Sequence, residues 1–291
     1  MEQLIKILSK IPIGVHYWFA DWMLYPLIYY IVRYRRKLVR KNLTDSFPEK
    51  RPDEIRHIEK QFYHHFADLV VETVYGYGLS DQAMREHVRF NNHNLVKRLA
   101  EKHGSVIVML AHLGNWEWFT DYNRQYLEGE GLVQGNVFRH QANKKMDELM
   151  HILRSKSGGI LIDKRTILRQ MLILRKEGKK MVYGLICDQK PRPEVTRYWT
   201  EFLHHETGFL DGGEVLGKKF AYPVLYAHIS SPKRGYYEVS FETIAEYPTE
   251  TAENEITRIY AERLEQNIKE QPEQWLWTHN RWKWRKPINN L

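Results

Sequence analysis

Apolar positions along the chain change their period as it proceeds. From Pro52 to about Tyr75, Ile55, Ile58, Phe62, Phe66, Leu69 and Val70 recur at steps of three and four, which predicts a helix with one buried face. A second helix is predicted over Asp81–Lys102. The period then gives way to short β-branched runs: Ser105–Leu110, Gly131–Phe138, Gly159–Asp163 and Met181–Cys187. Helical spacing separates these runs near Trp116–Leu127, Ala142–Ser155 and Thr166–Lys176. Strands alternating with helices predict an α/β fold, with a central, mostly parallel or mixed sheet flanked by helices. Tyr222–Ile229 and Tyr236–Thr243 follow, joined by Ser-Pro-Lys-Arg-Gly, a hairpin-like turn, and a last helix is predicted over Ala252–Lys269.

The start of the chain has a different texture. Ile11 to Val32 is apolar and rich in aromatics (Tyr17, Trp18, Phe19, Trp22, Tyr25, Tyr29, Tyr30), but His16, Asp21 and Pro26 interrupt it. Arg33, Arg35, Arg36, Lys37, Arg40 and Lys41 come next. Apolar residues followed by cations are the pattern of membrane attachment, the cations meeting an anionic cytoplasmic leaflet. Residues 1–45 are therefore expected to form an N-terminal helical membrane anchor, either spanning or lying on the bilayer. A helix pair packed on the body is the alternative. No uncharged apolar stretch reaches eighteen residues, which excludes a multi-span membrane protein. No small-residue cleavage site follows the apolar segment, so no cleavable signal peptide is expected. Without repeats or Pro/Ser linkers, residues 46–291 are expected to form one α/β domain.

Charge narrows the partners. Forty-four Lys and Arg against 36 Asp and Glu leave a net charge of +8 on 291 residues, which favours polyanions. Zinc-finger spacing, a basic zipper and an RNP-like strand are all missing, so no nucleic acid is expected. Nine Trp and eighteen Tyr suit the membrane–water boundary and an anionic membrane surface better. The single cysteine, Cys187, allows neither an intrachain disulfide nor a multi-cysteine metal site, and its apolar surroundings mark it as core.

The sharpest chemical signal is Ala111-His112-Leu113-Gly114-Asn115-Trp116-Glu117, directly after the run Ser105–Leu110. Residues five apart on one regular helix point about 140° away from each other, so His112 and Glu117 cannot share a helical face. They can meet if His112 ends the strand, Gly114 turns the chain and Glu117 lies in the first helical turn. Ligands of open α/β sheets sit at such strand ends. A carboxylate on one imidazole nitrogen leaves the other free to accept a proton, which makes a general base. The alternative is a core histidine and a surface glutamate that are adjacent by chance. The second His of an H-E-x-x-H pattern is absent, so no metal is expected, and no cofactor either.

This segment resembles the His-x4-Glu motif of the late acyltransferases of lipid A assembly, relatives of the glycerolipid acyltransferases. The resemblance continues through Tyr34-Arg35-Arg36-Lys37, Asn42-Leu43, Phe47-Pro48-Glu49-Lys50, Phe138-Arg139, Cys187-Asp188-Gln189, Phe202-Leu203, Thr207-Gly208 and Pro272-Glu273-Gln274-Trp275-Leu276-Trp277, then His279, Arg281, Trp282 and Lys283. It implies a glycerolipid acyltransferase-like fold and catalytic His112 and Glu117, with His112 as base and Glu117 orienting it. It further implies that Arg139 binds an anionic group or holds charge on the thioester oxygen, and that Asp188 organises Arg139 or the acceptor. Asn115 and Thr207 are expected to bind substrate. Where many members have Phe-Phe-Gly, this chain reads Phe-Leu-His-His-Glu-Thr, and His204 and His205 are expected to be exposed loop residues.

The chemistry so implied is O-acyl transfer in a ternary complex. The donor would be a thioester of acyl carrier protein or acyl-CoA, and the acceptor a hydroxyl of a membrane amphiphile, a lipid A precursor foremost. The absence of a Gly-x-Ser-x-Gly elbow argues against an acyl-enzyme. Such an enzyme would work at the cytoplasmic face of the bacterial inner membrane. An amino-acid lipid or phospholipid acceptor, a hydrolase or thioesterase using the same base, and a non-catalytic membrane-surface or nucleic-acid-binding protein remain open on sequence alone. The run Trp275, Trp277, Trp282, Trp284 with Arg281, Lys283, Arg285 and Lys286 reads either as an interface belt or as Trp packed on the sheet with cations in a cleft.

Overall fold

The computed structural model describes residues 2–140, 143–156, 158–284 and 286. The strands, in chain order, are β1 (Val88–Asn91), β2 (Ser105–Leu110), β3 (Leu132–Phe138), β4 (Ile160–Asp163), β5 (Lys180–Ile186), β6 (Tyr198–Phe202), β7 (His205–Phe209), β8 (Val224–Lys233) and β9 (Tyr236–Ala245). All but β6 and β7 form one sheet of order β1-β9-β8-β2-β5-β3-β4. β8, β2, β5, β3 and β4 run parallel, and β9 returns antiparallel to β8. β2 lies between β5 and β8, and all of its residues are buried. That double coverage is why its sequence is a continuous apolar run and not an alternation.

The helices are α1 (Glu2–Leu8), α2 (Ile13–Phe19), α3 (Arg36–Ser46), α4 (Pro52–Gly78), α5 (Asp81–His87), α6 (His93–His103), α7 (Lys144–Ser155), α8 (Ile167–Lys176), α9 (Gly212–Phe220) and α10 (Glu255–Glu270). The single helix expected over Asp81–Lys102 is divided by β1. Val88 and Phe90 turn inward while Arg89 and Asn91 stay out, a period of two that pairs with β9. Asn92, with φ of 46°, then swings the chain into α6. The expected helix over Trp116–Leu127 is instead a 3-10 turn (Trp116–Asp121) followed by a π-type turn (Asn123–Leu127). The β6–β7 hairpin and α9 had no clear periodic signal.

The N-terminal segment packs on the body along α4. After α2 the helical path continues in π-type turns at Ala20–Leu24 and Leu27–Ile31, on either side of Pro26, which has no N–H to bond the preceding turn. Ala20, Tyr25 and Tyr29 belong to the same buried core as Phe62, Tyr63 and the sheet. Burial of a side chain the size of Tyr29 contributes on the order of 1.5–3 kcal/mol, so the inner face fastens the segment firmly. The outer face is apolar and open: Val15, Trp18, Trp22, Met23, Leu27 and Ile31 are all exposed, Trp22 at 72%. Among the described residues no helix is long and apolar enough to cross a membrane, so the expected spanning anchor has no element to carry it. The basic cluster is also partly claimed by the chain itself. Arg36 (3.0 Å) and Arg40 (2.6 Å) both pair with the fully buried Glu59 of α4.

Candidate active site

β2 delivers Ala111 and His112 to the carboxyl edge of the sheet, and Gly114 turns the chain away. Its φ is 53°, and a Cβ there would stand 3.0 Å from Ile229 Cγ2 and 3.1 Å from Tyr237 Cδ1, so the turn requires glycine. Two neighbours fix this turn. From α4, His65 lies against the Gly114 backbone, and the buried Glu72 carboxylate accepts from Asn115 Nδ2 (2.9 Å), Tyr237 (2.8 Å) and Tyr17 (2.7 Å). From the C-terminal region, residues 274–276 lie alongside like a short strand. Gly114 N donates to Gln274 O (3.1 Å), and Leu276 N to His112 O (3.1 Å).

This arrangement brings His112 to Asp188, which follows β5. His112 Nδ1 is 2.7 Å from Asp188 Oδ1, while the His112 backbone N–H (3.0 Å) and Trp275 Nε1 (2.9 Å) both donate to Oδ2. Asp188 is 3% exposed. Burial alone would push its carboxyl up, but the adjacent imidazole and these hydrogen bonds outweigh burial and hold it at about 2. An ionised carboxylate only accepts, so Nδ1 must carry the proton and, in the neutral ring, Nε2 keeps the lone pair. The Gln189 amide nitrogen stands 3.3 Å from Nε2.

Glu117 does not orient His112 in this structure; Asp188 makes the hydrogen bond that the sequence reading gave to Glu117. The Glu117 carboxylate instead accepts two bonds from Arg154 of α7 (2.8 and 2.7 Å) and one from Trp116 Nε1 (3.0 Å). Its link to His112 runs through Trp116, whose ring meets the imidazole edge-on at 5.0 Å.

A cleft of about 740 Å³ opens over the ends of β2, β3 and β5. His112, Trp116, Glu117, Arg139, Gln189 and Lys190 line it. A part lined by Val137, Ile167, Leu185, Leu210 and Leu216 is apolar. Arg139, exposed at the end of β3, makes no ion pair or side-chain hydrogen bond among the described residues and faces this space. Asn115 and Thr207 do not line it. Asn115 is tied to Glu72, and the buried Thr207 hydroxyl accepts from Trp282 Nε1 (2.8 Å) and donates to His205 O (2.9 Å). Cys187 reaches the cleft, but burial, then the negative charge of Asp188, push its thiol up to about 12, which makes it a poor nucleophile. Among the described residues no group of three His, Cys, Asp or Glu could hold a metal ion.

Sequence reasoning missed Trp275 as a partner of Asp188, Arg154 as the partner of Glu117, and both Gln189 and Lys190. None of these contacts leaves a local signal, because each joins segments at least 37 residues apart or depends on how a loop folds over the cleft. Of the two readings of the C-terminal run, Trp packed on the body is seen at two positions. Trp275 and Trp277 are core, at 2% and 0% exposure, whereas Trp284 is 42% exposed. His204 is exposed at the β6–β7 turn, and His205 stacks on Trp282 at 4.1 Å.

A mostly parallel sheet that presents an imidazole at its carboxyl edge, one nitrogen fixed by a buried carboxylate and the other turned to a partly apolar cleft, defines an α/β class with its cleft at the strand ends. The chain belongs to the bacterial lipid A biosynthesis acyltransferase family, whose model matches residues 8–284; it is an acyltransferase. No individual curated protein matches it.

Proposed function

We propose that this protein transfers a fatty acyl group from a thioester of acyl carrier protein, or of coenzyme A, to a hydroxyl of a lipid A precursor, with His112 as general base. The observation that carries this reading is the 2.7 Å contact from His112 Nδ1 to the buried Asp188, which leaves Nε2 as the basic nitrogen beside the cleft. In the reaction the acceptor hydroxyl displaces Gln189 from Nε2, gives up its proton there and attacks the thioester carbonyl. The tetrahedral oxyanion that forms lies within reach of Arg139, and its collapse expels the thiolate, which recovers the proton from the imidazolium. Asp188 holds the ring in the productive tautomer and stabilises it while charged. Glu117 acts at one remove, by fixing Trp116 against the imidazole. The acyl chain occupies the apolar part of the cleft.

The exposed outer face of residues 13–31 supports a site at the cytoplasmic face of the inner membrane, with the segment lying on the bilayer. Trp18 and Trp22 would enter the interface, as amphipathic rings do. The decisive experiment is acyl transfer from acyl carrier protein to a lipid A precursor, followed by mass spectrometry. Wild type should add one acyl chain and His112→Ala should add none at matched circular dichroism; equal product from both would refute the assignment. Vesicle flotation tests the docking, since Trp18→Ser/Trp22→Ser should shift protein from the lipid to the aqueous fraction.

A further inference from the structure

The buried and half-buried arginines beside α4 and the cleft wall are held by the fold's own carboxylates. Arg36 and Arg40 share Glu59, Arg124 pairs with Asp81 and Asp121, Arg154 with Glu117, and Arg234 with Asp21 and Asp68. Arg35, Lys190, Arg281 and Lys283 differ from these in lying together. Among the described residues none of them forms an ion pair, although they come from three distant parts of the chain.

The fold holds these four cations by other means. Arg35 Nη1 donates to Thr278 O (2.8 Å) and Lys190 Nζ to Asn280 O (3.0 Å), so both are tied to one stretch of the C-terminal segment. Arg281 lies beneath, 3% exposed, donating to Gly208 O (2.5 Å) and stacked over Phe209, and its Nε is buried with no partner. Lys283 is exposed and rests over the Trp284 ring at 4.6 Å. Two carboxylates stand nearby: Asp188 is committed to His112 and Trp275, and Glu206, which shares a small pocket with Lys190 and Arg281, pairs with Lys286 (3.6 Å). These cations are close enough to act on one another: Lys190 is held below the usual lysine value first by burial, then by Lys283, Arg35 and Arg281. Gathering like charges that form no ion pair costs stability, and a fold that keeps such a group at a cleft presents an anion site.

We propose that Arg35, Lys190 and Lys283, seated on the buried Arg281, form a subsite for a phosphate group of the substrate at the mouth of the His112 cleft. Lys190 carries the link, because it belongs to the cluster and also lines the cleft with His112. Arg35 follows directly on the exposed apolar segment, so the subsite lies where a lipid headgroup would meet the protein. Phosphate is the shared chemistry of two sources: the phosphomonoester of the acceptor lipid and the phosphodiester of the donor's pantetheine arm. The inference rests on the transferase reading for its role, but not for its detection.

Two measurements separate the cases. Inorganic pyrophosphate, titrated against intrinsic tryptophan fluorescence, should perturb Trp282 and Trp284 in wild type. Lys190→Gln or Lys283→Gln should weaken that binding by about tenfold, the loss of one charge-assisted contact. Lys283 is exposed, so its variant guards against a folding artefact at Lys190. Kinetics then assign the source. If the acceptor's phosphate binds here, wild type should prefer a phosphorylated lipid A precursor over its dephosphorylated form, and Lys190→Gln should lose that preference. If the donor's does, KM for acyl carrier protein thioester should rise about tenfold instead. Pyrophosphate binding and both KM values unchanged in the two variants would overturn the subsite. Pyrophosphate binding that depends on Lys190, with no acyl transfer by wild type, would instead overturn the transferase reading and leave the subsite standing.

Discussion

Two carboxylates flank the His112 cleft, and their surroundings differ in kind. Asp188 is sealed behind the sheet edge, accepts from the imidazole, a backbone N–H and an indole, and among the described residues forms no ion pair with a Lys or Arg. Glu117 sits on the cleft wall, neutralised by the two-pronged grip of Arg154. A carboxylate satisfied by arginine has little pull left for a proton on a neighbouring ring, whereas one satisfied by neutral donors retains its charge for the imidazolium. Distance along the chain is thus a poor guide to which acid serves a base. The acid 76 positions away makes the contact, and the acid five positions away braces the wall.

Breaking the two sides should give graded effects. His112→Ala removes the proton acceptor and should lower kcat by at least about 10³-fold, in the upper part of the usual range of one acid–base group because the ring also positions the hydroxyl. Asp188→Asn keeps the shape but loses the charge and the fixed tautomer, and a fall of about 10²–10⁴-fold in kcat is expected. Glu117→Gln releases Arg154 and loosens Trp116, an indirect effect that should cost about tenfold or less, and Arg154→Met should match it. If Glu117→Gln proves as damaging as Asp188→Asn, the comparison fails and Glu117 must reach the imidazole during turnover.

Acid titration sharpens the same contrast. The Asp188 carboxyl is depressed to about 2 from an unfolded value of about 3.9, so its contribution to stability is complete above pH 4 and is lost as pH falls toward 2. This component is roughly 2–3 kcal/mol and should be missing from chemical denaturation of Asp188→Asn across that window. His65, which lies against the Gly114 turn, is held down at about 4 mainly by burial. The unfolded chain takes up its proton first, so stability falls as pH drops from about 6.5 to 4. His65→Gln should shallow that earlier window, to which His279, also held down at about 4 mainly by burial, contributes too, and leave the later one in place. The smallest effect is expected from Trp275→Phe, which removes one of three donors to Asp188, about 1 kcal/mol of local support and a few-fold in kcat.

Much of the framework was legible in the chain itself. Ser105–Leu110 reads as a buried strand because a strand covered on both faces has no polar positions to reveal. The α4 stripe, the β8–β9 hairpin and the position of His112 at a strand end follow from equally local rules. The break at Val88–Asn91 did not, since four residues of strand pattern are outweighed by the helical spacing on either side. The N-terminal segment shows both outcomes in one element. Its apolar character is plain in the sequence, but which face is inward depends on Ala20, Tyr25 and Tyr29 finding α4.

By itself the sequence determined that an α/β sheet would present His112 beside a glycine turn, and that the chain would bear a surplus of cations. Periodicity, turn chemistry and charge are properties of neighbours in the chain. Only the tertiary structure decided that Asp188, not Glu117, meets the imidazole, that Glu59 absorbs part of the basic cluster, and that Arg35, Lys190 and Lys283 gather around Arg281 with no ion pair among the described residues. Each of those pairings joins distant segments whose approach is set by packing of the whole core, and hydrogen bonds and ion pairs form with whatever that packing brings within about 3 Å.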